Sequence, residues 1–136
     1  MQNESPVVVL DTNIVLDLWV FDNPPTLPLR ALVEQRQVSW LATKRMRSEL
    51  ERVLGYPHIA RRLQAGEQVA NTVLAHFDTY AQLQPDAPKA PYTCKDPDDQ
   101  CFIDLAVQHQ ARLWSKDAHV LSMKNRLARC GVALNR

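Results

Sequence analysis

An α/β fold on a mostly parallel sheet of four to five strands is what this sequence predicts. Three observations carry that expectation. Val7-Val8-Val9-Leu10 is a continuous, β-branched apolar run of the kind buried on both faces of a parallel sheet. Short runs like it alternate along the chain with stretches of helical spacing. No internal repeat or low-complexity tract interrupts that alternation. The 136 residues suit one domain, 1–136, and a chain of this size buries roughly two-thirds of its unfolded surface without metal or disulfide staples.

The first strand, 7–10, stops at Asp11, after which Ile14, Val15, Leu18 and Phe21 recur at helical spacing. Residues 23–28 (NPPTLP) read as a loop and 29–36 as a short helix before a second strand at 38–41. Thr43 is the N-cap for a helix with the stripe Met46, Leu50, Val53 and Leu54, ending near Gly55 and Pro57. Residues 66–83 read as one longer helix, broken by the proline-rich 85–91. Asp96-Pro97 opens another, because Asp caps well and Pro suits the first helical position. Residues 112–115 form a strand, a helical turn runs through Val120, and a last strand lies around 132–134.

Composition narrows the function. No apolar run approaches the about 18 to 20 residues of a membrane span, and residues 1–6 (MQNESP) lack a signal-peptide pattern, so a cytoplasmic location without membrane contact is expected. Cys94, Cys101 and Cys130 are odd in number and form no CxxC pair, which points to reduced thiols. The four histidines show no paired-ligand spacing, which argues against zinc. The net charge of +1 conceals segregation: residues 1–29 carry −4, 30–62 carry +5, 63–85 carry −2, 86–111 carry −3 and 112–136 carry +5. Such blocks suit a cation site beside a polyanion-facing surface; ordinary surface scatter is the alternative.

Four acids fall where a parallel sheet gathers its ligands, at strand ends and helix starts. Asp11 follows the first strand, where it serves either as a helix N-cap or as a ligand, with Asn13 placed to orient it or to make a turn. Glu49 flanks the buried helix stripe, whereas Glu51 points outward; the competing role for Glu49 is a surface ion pair with Arg45 or Arg52. In Asp96-Pro97-Asp98-Asp99, acids suit a helix start, but Asp99, Phe102, Ile103, Ala106 and Gln110 share one inward line, so Asp99 requires a partner. Asp117 closes the 112–115 strand as Asp11 closes the first. Acids gathered this way repel one another unless a cation neutralises them, and an all-oxygen set selects Mg2+ or Mn2+, the metals of carboxylate nucleases.

The stretches VVVLDTN (7–13), SELERVLGYP (48–57), DPDDQCFIDLA (96–106) and SKDAHVL (115–121) resemble the successive motifs of PIN-domain proteins, and are most similar to the toxin-component (VapC-like) branch of bacterial type II toxin-antitoxin systems. The resemblance implies a three-layer α/β/α sandwich and a Mg2+- or Mn2+-dependent endoribonuclease. It implies Asp11, Glu49, Asp99 and Asp117 as the acidic quartet, and Asp96 as capping or support; the expected division of labour puts Asp11, Asp99 and Asp117 on the metal, with Glu49 completing the site or acting through water. The family's last motif often reads Thr-x-Asp or Thr-Gly-Asp. Here Ser115 keeps the hydroxyl, to hold a water on the metal or to orient Asp117, while Lys116 is unusual and is expected to meet an acid of the quartet or a substrate phosphate. Toxin relatives further imply a small cognate antitoxin and a homodimer.

Arg45, Arg47, Arg52, Arg61 and Arg62 flank Glu49, and Lys116, Lys124, Arg126 and Arg129 offer a second basic wall near Asp117, so an RNA backbone is the expected substrate. Among these, Arg45, Arg52 and Lys116 are the first candidates for substrate contact. Three glycines and no GxxxxGK loop disfavour an NTPase. Two other classes compete: a non-catalytic PIN-like RNA-binding or protein-interaction module, and an aspartyl-nucleophile phosphatase built on Asp11, which lacks its second acid because Asn13 stands there.

Overall fold

The computed structural model describes residues 5–136; the reading of 1–6 as free of a leader falls mostly outside them. β1 (Val7–Leu10) leads into α1 (Thr12–Trp19), a 3-10 turn at Pro24–Thr26 and α2 (Leu27–Glu34). β2 (Ser39–Ala42) is followed by α3 (Lys44–Leu54), α4 (Pro57–Ala65), α5 (Ala70–Tyr80) and β3 (Ala81–Leu83). A 3-10 turn at Pro97–Asp99 then leads into α6 (Gln100–His109), β4 (Arg112–Trp114), α7 (Ala118–Leu121) and α8 (Lys124–Arg129).

Among the described residues the sheet has four strands in the order β3-β2-β1-β4, and each of their pairings is parallel. Val8, Val9 and Leu10 are at most 2% exposed. Since successive strand residues point to opposite faces, helices must cover both, which is why β1 reads as an unbroken apolar run. Around it the core takes in Trp40, Leu50, Leu54, Ile103, Leu105 and Leu113. β1 pairs with β2 on one side and with β4 on the other, so the strand order reverses between β1 and β4. The crevice beyond the carboxyl ends of those strands is where open α/β sheets bind ligands.

The sequence expectations need four corrections. Residues 23–28 are not all loop, because α2 begins at Leu27 with Pro28 in its first turn. Pro57 starts α4 rather than only stopping α3. The long helix expected over 66–83 does not exist as one piece: Gly66 caps α4, Glu67 adopts a left-handed φ of 56°, α5 begins at Ala70, and 81–83 form the edge strand β3. The last strand expected around 132–134 reduces to one parallel bridge between Leu113 and Leu134. Among the described residues, no helix is long and apolar enough to cross a membrane.

Candidate active site

Each acid is set by the end of an element. Leu10 lies in register with Trp114, and the Asp11 N–H donates to the Trp114 carbonyl at 3.1 Å, so Asp11 and the 115–117 loop leave the sheet side by side. Asp11 is both cap and site residue: its Oδ1 accepts from the Ile14 N–H at 3.0 Å, and its Oδ2 accepts from the Ser115 hydroxyl. Thr43 caps α3 through the Met46 N–H at 3.3 Å, which aims the second turn of that helix, carrying Glu49, at the same edge. Asp96 caps the 3-10 turn by accepting from the Asp98 N–H at 3.0 Å. Asp117 caps α7 by accepting from the His119 N–H at 2.8 Å.

Asp11, Glu49, Asp96, Asp99 and Asp117 line one cleft of about 190 Å3, with Val53 and Phe102 as its apolar lining and Thr12 and Asn13 completing it. The expected quartet is therefore brought together, with Asp96 as a fifth member. Carboxylate oxygens of Asp96, Asp99 and Asp117 come within 4.8 Å of one another. Asp96 is drawn in because residues three apart eclipse in a 3-10 turn, which stacks it beside Asp99. Asp11, expected as a ligand with Asp99 and Asp117, stands in the same cleft but outside that tightest triad, with both oxygens already hydrogen-bonded.

The electrostatics are those of uncompensated acid. Burial pushes the Asp11 carboxyl up to about 6, against the opposing pull of the Ser115 hydroxyl and the Ile14 amide, and Asp117 and Glu49 add repulsion. Asp99 is pushed up to about 7 by burial, then by its neighbours Asp117 and Asp96. Asp99 Oδ2 is buried and has no hydrogen-bond partner among the described residues. An orphaned buried carboxylate oxygen beside two more acids, with no His or Cys in the set, fits a hard divalent cation.

The other expected residues take distinct places. Glu49 is not a simple surface ion: it lines the cleft, its Oε2 accepts from the Thr12 hydroxyl, and its contact with Arg52 Nη2 is a long 3.9 Å. Asn13 is exposed at the cleft. Ser115 orients Asp11 by its hydroxyl, and towards Asp117 it acts on the backbone instead, accepting from the Asp117 N–H at 3.0 Å. Lys116 meets an acid outside the quartet, Asp17, with Nζ 2.7 Å from Oδ2. Asp17 is 3% exposed on α1 and needs that cation, so the acid that Lys116 meets is not one of the quartet.

Arg45 and Arg52 line a second groove of about 170 Å3 with Ser48 and Glu49, and Glu49 thus borders both cavities. Two neighbouring cations are committed elsewhere: Arg47 pairs with Asp78 at 2.7 and 2.9 Å, and Arg62 lies 5.8 Å over the Phe21 ring. The second basic wall does not form at the acids. Lys124 instead lines a separate groove with Val132 and Arg136, and Arg126 donates to the Ser122 carbonyl. Residues missed from the sequence are Thr12, Asp17 and Asn135. Only Asp17 carried a signal, as an acid within the buried stretch of α1.

A protein-family model described as a PIN domain matches residues 7–113, a span that holds Asp11, Glu49, Asp96 and Asp99 and stops before Ser115 and Asp117. None of the curated proteins matches the chain.

Proposed function

The chain belongs to the PIN-domain family, whose members are generally metal-dependent nucleases, and on that premise we propose that it is a Mg2+- or Mn2+-dependent endoribonuclease. The observation that carries this reading is the buried, unpartnered Asp99 Oδ2 among the carboxylates of Asp96 and Asp117. Asp99, Asp117 and Asp96 would hold the cation, with Asp11 beside them. When bound, such an ion neutralises phosphate charge and polarises both the phosphodiester and the attacking water.

The chain's own residues supply the rest. Ser115 fixes Asp11 and the Asp117 backbone together, which presets the spacing of two acids before any ligand arrives. Glu49, anchored by Thr12 and bordering both cavities, is placed to accept the proton of the water that attacks phosphorus. Arg45 and Arg52, on the adjoining groove, bind the backbone phosphates of single-stranded or looped RNA. Attack by water forms one P–O bond and breaks the P–O bond to the leaving ribose oxygen, which takes up a proton from solvent water while Glu49 holds the proton of the attacking one.

A toxin role, with a small antitoxin partner, a homodimer and a cytoplasmic setting, rests on the motif resemblance of residues 7–13, 48–57, 96–106 and 115–121. The test of the enzymatic reading is cleavage of RNA by the purified protein with Mg2+ or Mn2+. Activity should vanish with EDTA and in Asp11→Asn. Cleavage that survives both contradicts it, and RNA binding without turnover favours the non-catalytic module.

A further inference from the structure

Two of the five acids of the cleft meet at one residue, Ser115, whose hydroxyl donates to the Asp11 carboxylate and accepts from the Asp117 N–H. Ser115 is 1% exposed, and its own main chain is gripped from outside the loop. Asn135 Oδ1 accepts from the Ser115 N–H at 2.8 Å, and Asn135 Nδ2 donates to the Ser115 carbonyl at 2.9 Å. One amide thereby satisfies both backbone groups of one residue. Only one orientation of that amide satisfies both, because oxygen must face the donor and nitrogen the acceptor.

Asn135 is itself anchored. Residues 133–135 run beside β4, with Leu113 N–H donating to Ala133 at 2.9 Å and Asn135 N–H donating to the Leu113 carbonyl at 2.8 Å. Buried Val132 and Leu134 hold the segment down. Asn135 has a left-handed φ of 59°, a conformation Asn tolerates better than most residues, and it turns the side chain back onto the loop.

We propose that Asn135 is a positioning residue for the cation site: its amide fixes the Ser115 backbone, and Ser115 in turn sets Asp11 and Asp117. This rests on the reading of the cleft as a divalent-cation site. Segments 115–117 and 133–135 both lie outside the span matched by the family model.

The experiment uses the full chain and two variants. Asn135→Gly accepts the left-handed backbone and removes the amide; Asn135→Asp keeps an acceptor for the Ser115 N–H but turns an oxygen on the Ser115 carbonyl. Three quantities are read: Mn2+ affinity by titration calorimetry, hydrogen exchange at the Ser115 amide, and kcat and KM for RNA. Both variants should exchange the Ser115 amide faster and bind Mn2+ about 10- to 100-fold more weakly, the loss typical when a partner that orients a ligand is removed. Where RNA is cleaved, kcat should fall with KM nearly unchanged. Mn2+ affinity within twofold of the parent, whatever happens to thermal stability, overturns the proposal. Should the Gly variant not fold, the Asp variant decides by the same criterion. A parent that binds Mn2+ but cleaves no RNA removes the nuclease reading and leaves the clamp to be judged on affinity alone; a parent that binds no Mn2+ overturns both.

Discussion

Asp11 and Asp17 are two buried acids of the same fold, one capping α1 and the other within it, and each is 3% exposed. Asp17 has a cation of its own: Lys116 Nζ stands at 2.7 Å, and the Asn23 amide donates to the same carboxylate at 3.3 Å. Asp11 has only neutral donors, the Ser115 hydroxyl and the Ile14 amide, while its charged neighbours Asp117 and Glu49 are acids. Equal burial therefore has opposite meanings. The neutralised acid holds the loop to the helix, whereas the other belongs to a cleft of five acids, a donor set that fits a divalent cation. Lys116 illustrates the division: it sits between Ser115 and Asp117, yet its charge is committed to the structural acid.

The largest expected effect separates the two acids by activity. Asp11→Asn or Asp99→Asn should lower RNA cleavage by more than about 100-fold, since even indirect disturbance of a metal site costs 10- to 100-fold. Asp17→Asn should leave the rate within about tenfold of the parent, because it acts on the loop only through Lys116. Equal losses from Asp11→Asn and Asp17→Asn in single-turnover assays would break the comparison.

Thermal or denaturant unfolding should separate them next. Mn2+ at about 100 times its Kd should stabilise the parent by about 2.7 kcal/mol. Asp17→Asn should keep that increment and Asp99→Asn should lose it. In EDTA the order reverses. Asp17→Asn should cost about 1 to 3 kcal/mol by removing the charge from a buried carboxylate that holds Lys116 and Asn23. Asp11→Asn should cost little, because Asn caps a helix as well as Asp does.

The pH dependence sharpens this further. Asp11 and Asp99 have folded-state pKa values of about 6 and about 7, above the ordinary 3.8. The folded state thus holds more protons than the unfolded one between those limits, and these acids favour folding fully only while protonated. In EDTA, the stability of the parent relative to Asp99→Asn should fall as pH rises from about 4 to about 7, then level off. Mn2+ affinity should move the other way, strengthening over the upper part of that range as the carboxylates lose their protons. The smallest effect is reserved for Arg47→Ala, which breaks an exposed pair with Asp78 and should cost under about 1 kcal/mol, with cleavage unchanged.

The carboxylates were legible in the sequence wherever local rules placed them. The unbroken run at 7–10 announced a strand buried on both faces, and the line through Asp99, Phe102, Ile103 and Ala106 put Asp99 above the core, where Phe102, Ile103 and Ala106 are at most 2% exposed; Gln110, expected on the same line, is exposed because α6 ends there in a left-handed cap. Glu49 against Glu51 was likewise a matter of helical angle. Elements that follow from competing local signals were not legible. Pro57 reads equally as the end of one helix or the start of the next, and β3, an edge strand of Ala-Gln-Leu without a β-branched residue, looks like the end of α5. Pairings across the fold had no local signature at all. Thr12 meets Glu49 across 37 residues and Asn135 meets Ser115 across 20, contacts fixed only once the sheet brings their elements together.

Everything proposed for the cleft depends on the unpartnered oxygen of Asp99 being a cation ligand. Anomalous diffraction from crystals soaked in Mn2+ tests it most directly. A peak is expected in the acidic cleft within about 2.0 to 2.6 Å of Asp99 Oδ2 and of an Asp117 oxygen, the range of such metal-oxygen bonds. A fully soaked crystal with no peak in the cleft, or with Mn2+ bound there and Asp99 Oδ2 left out of its coordination, would contradict it.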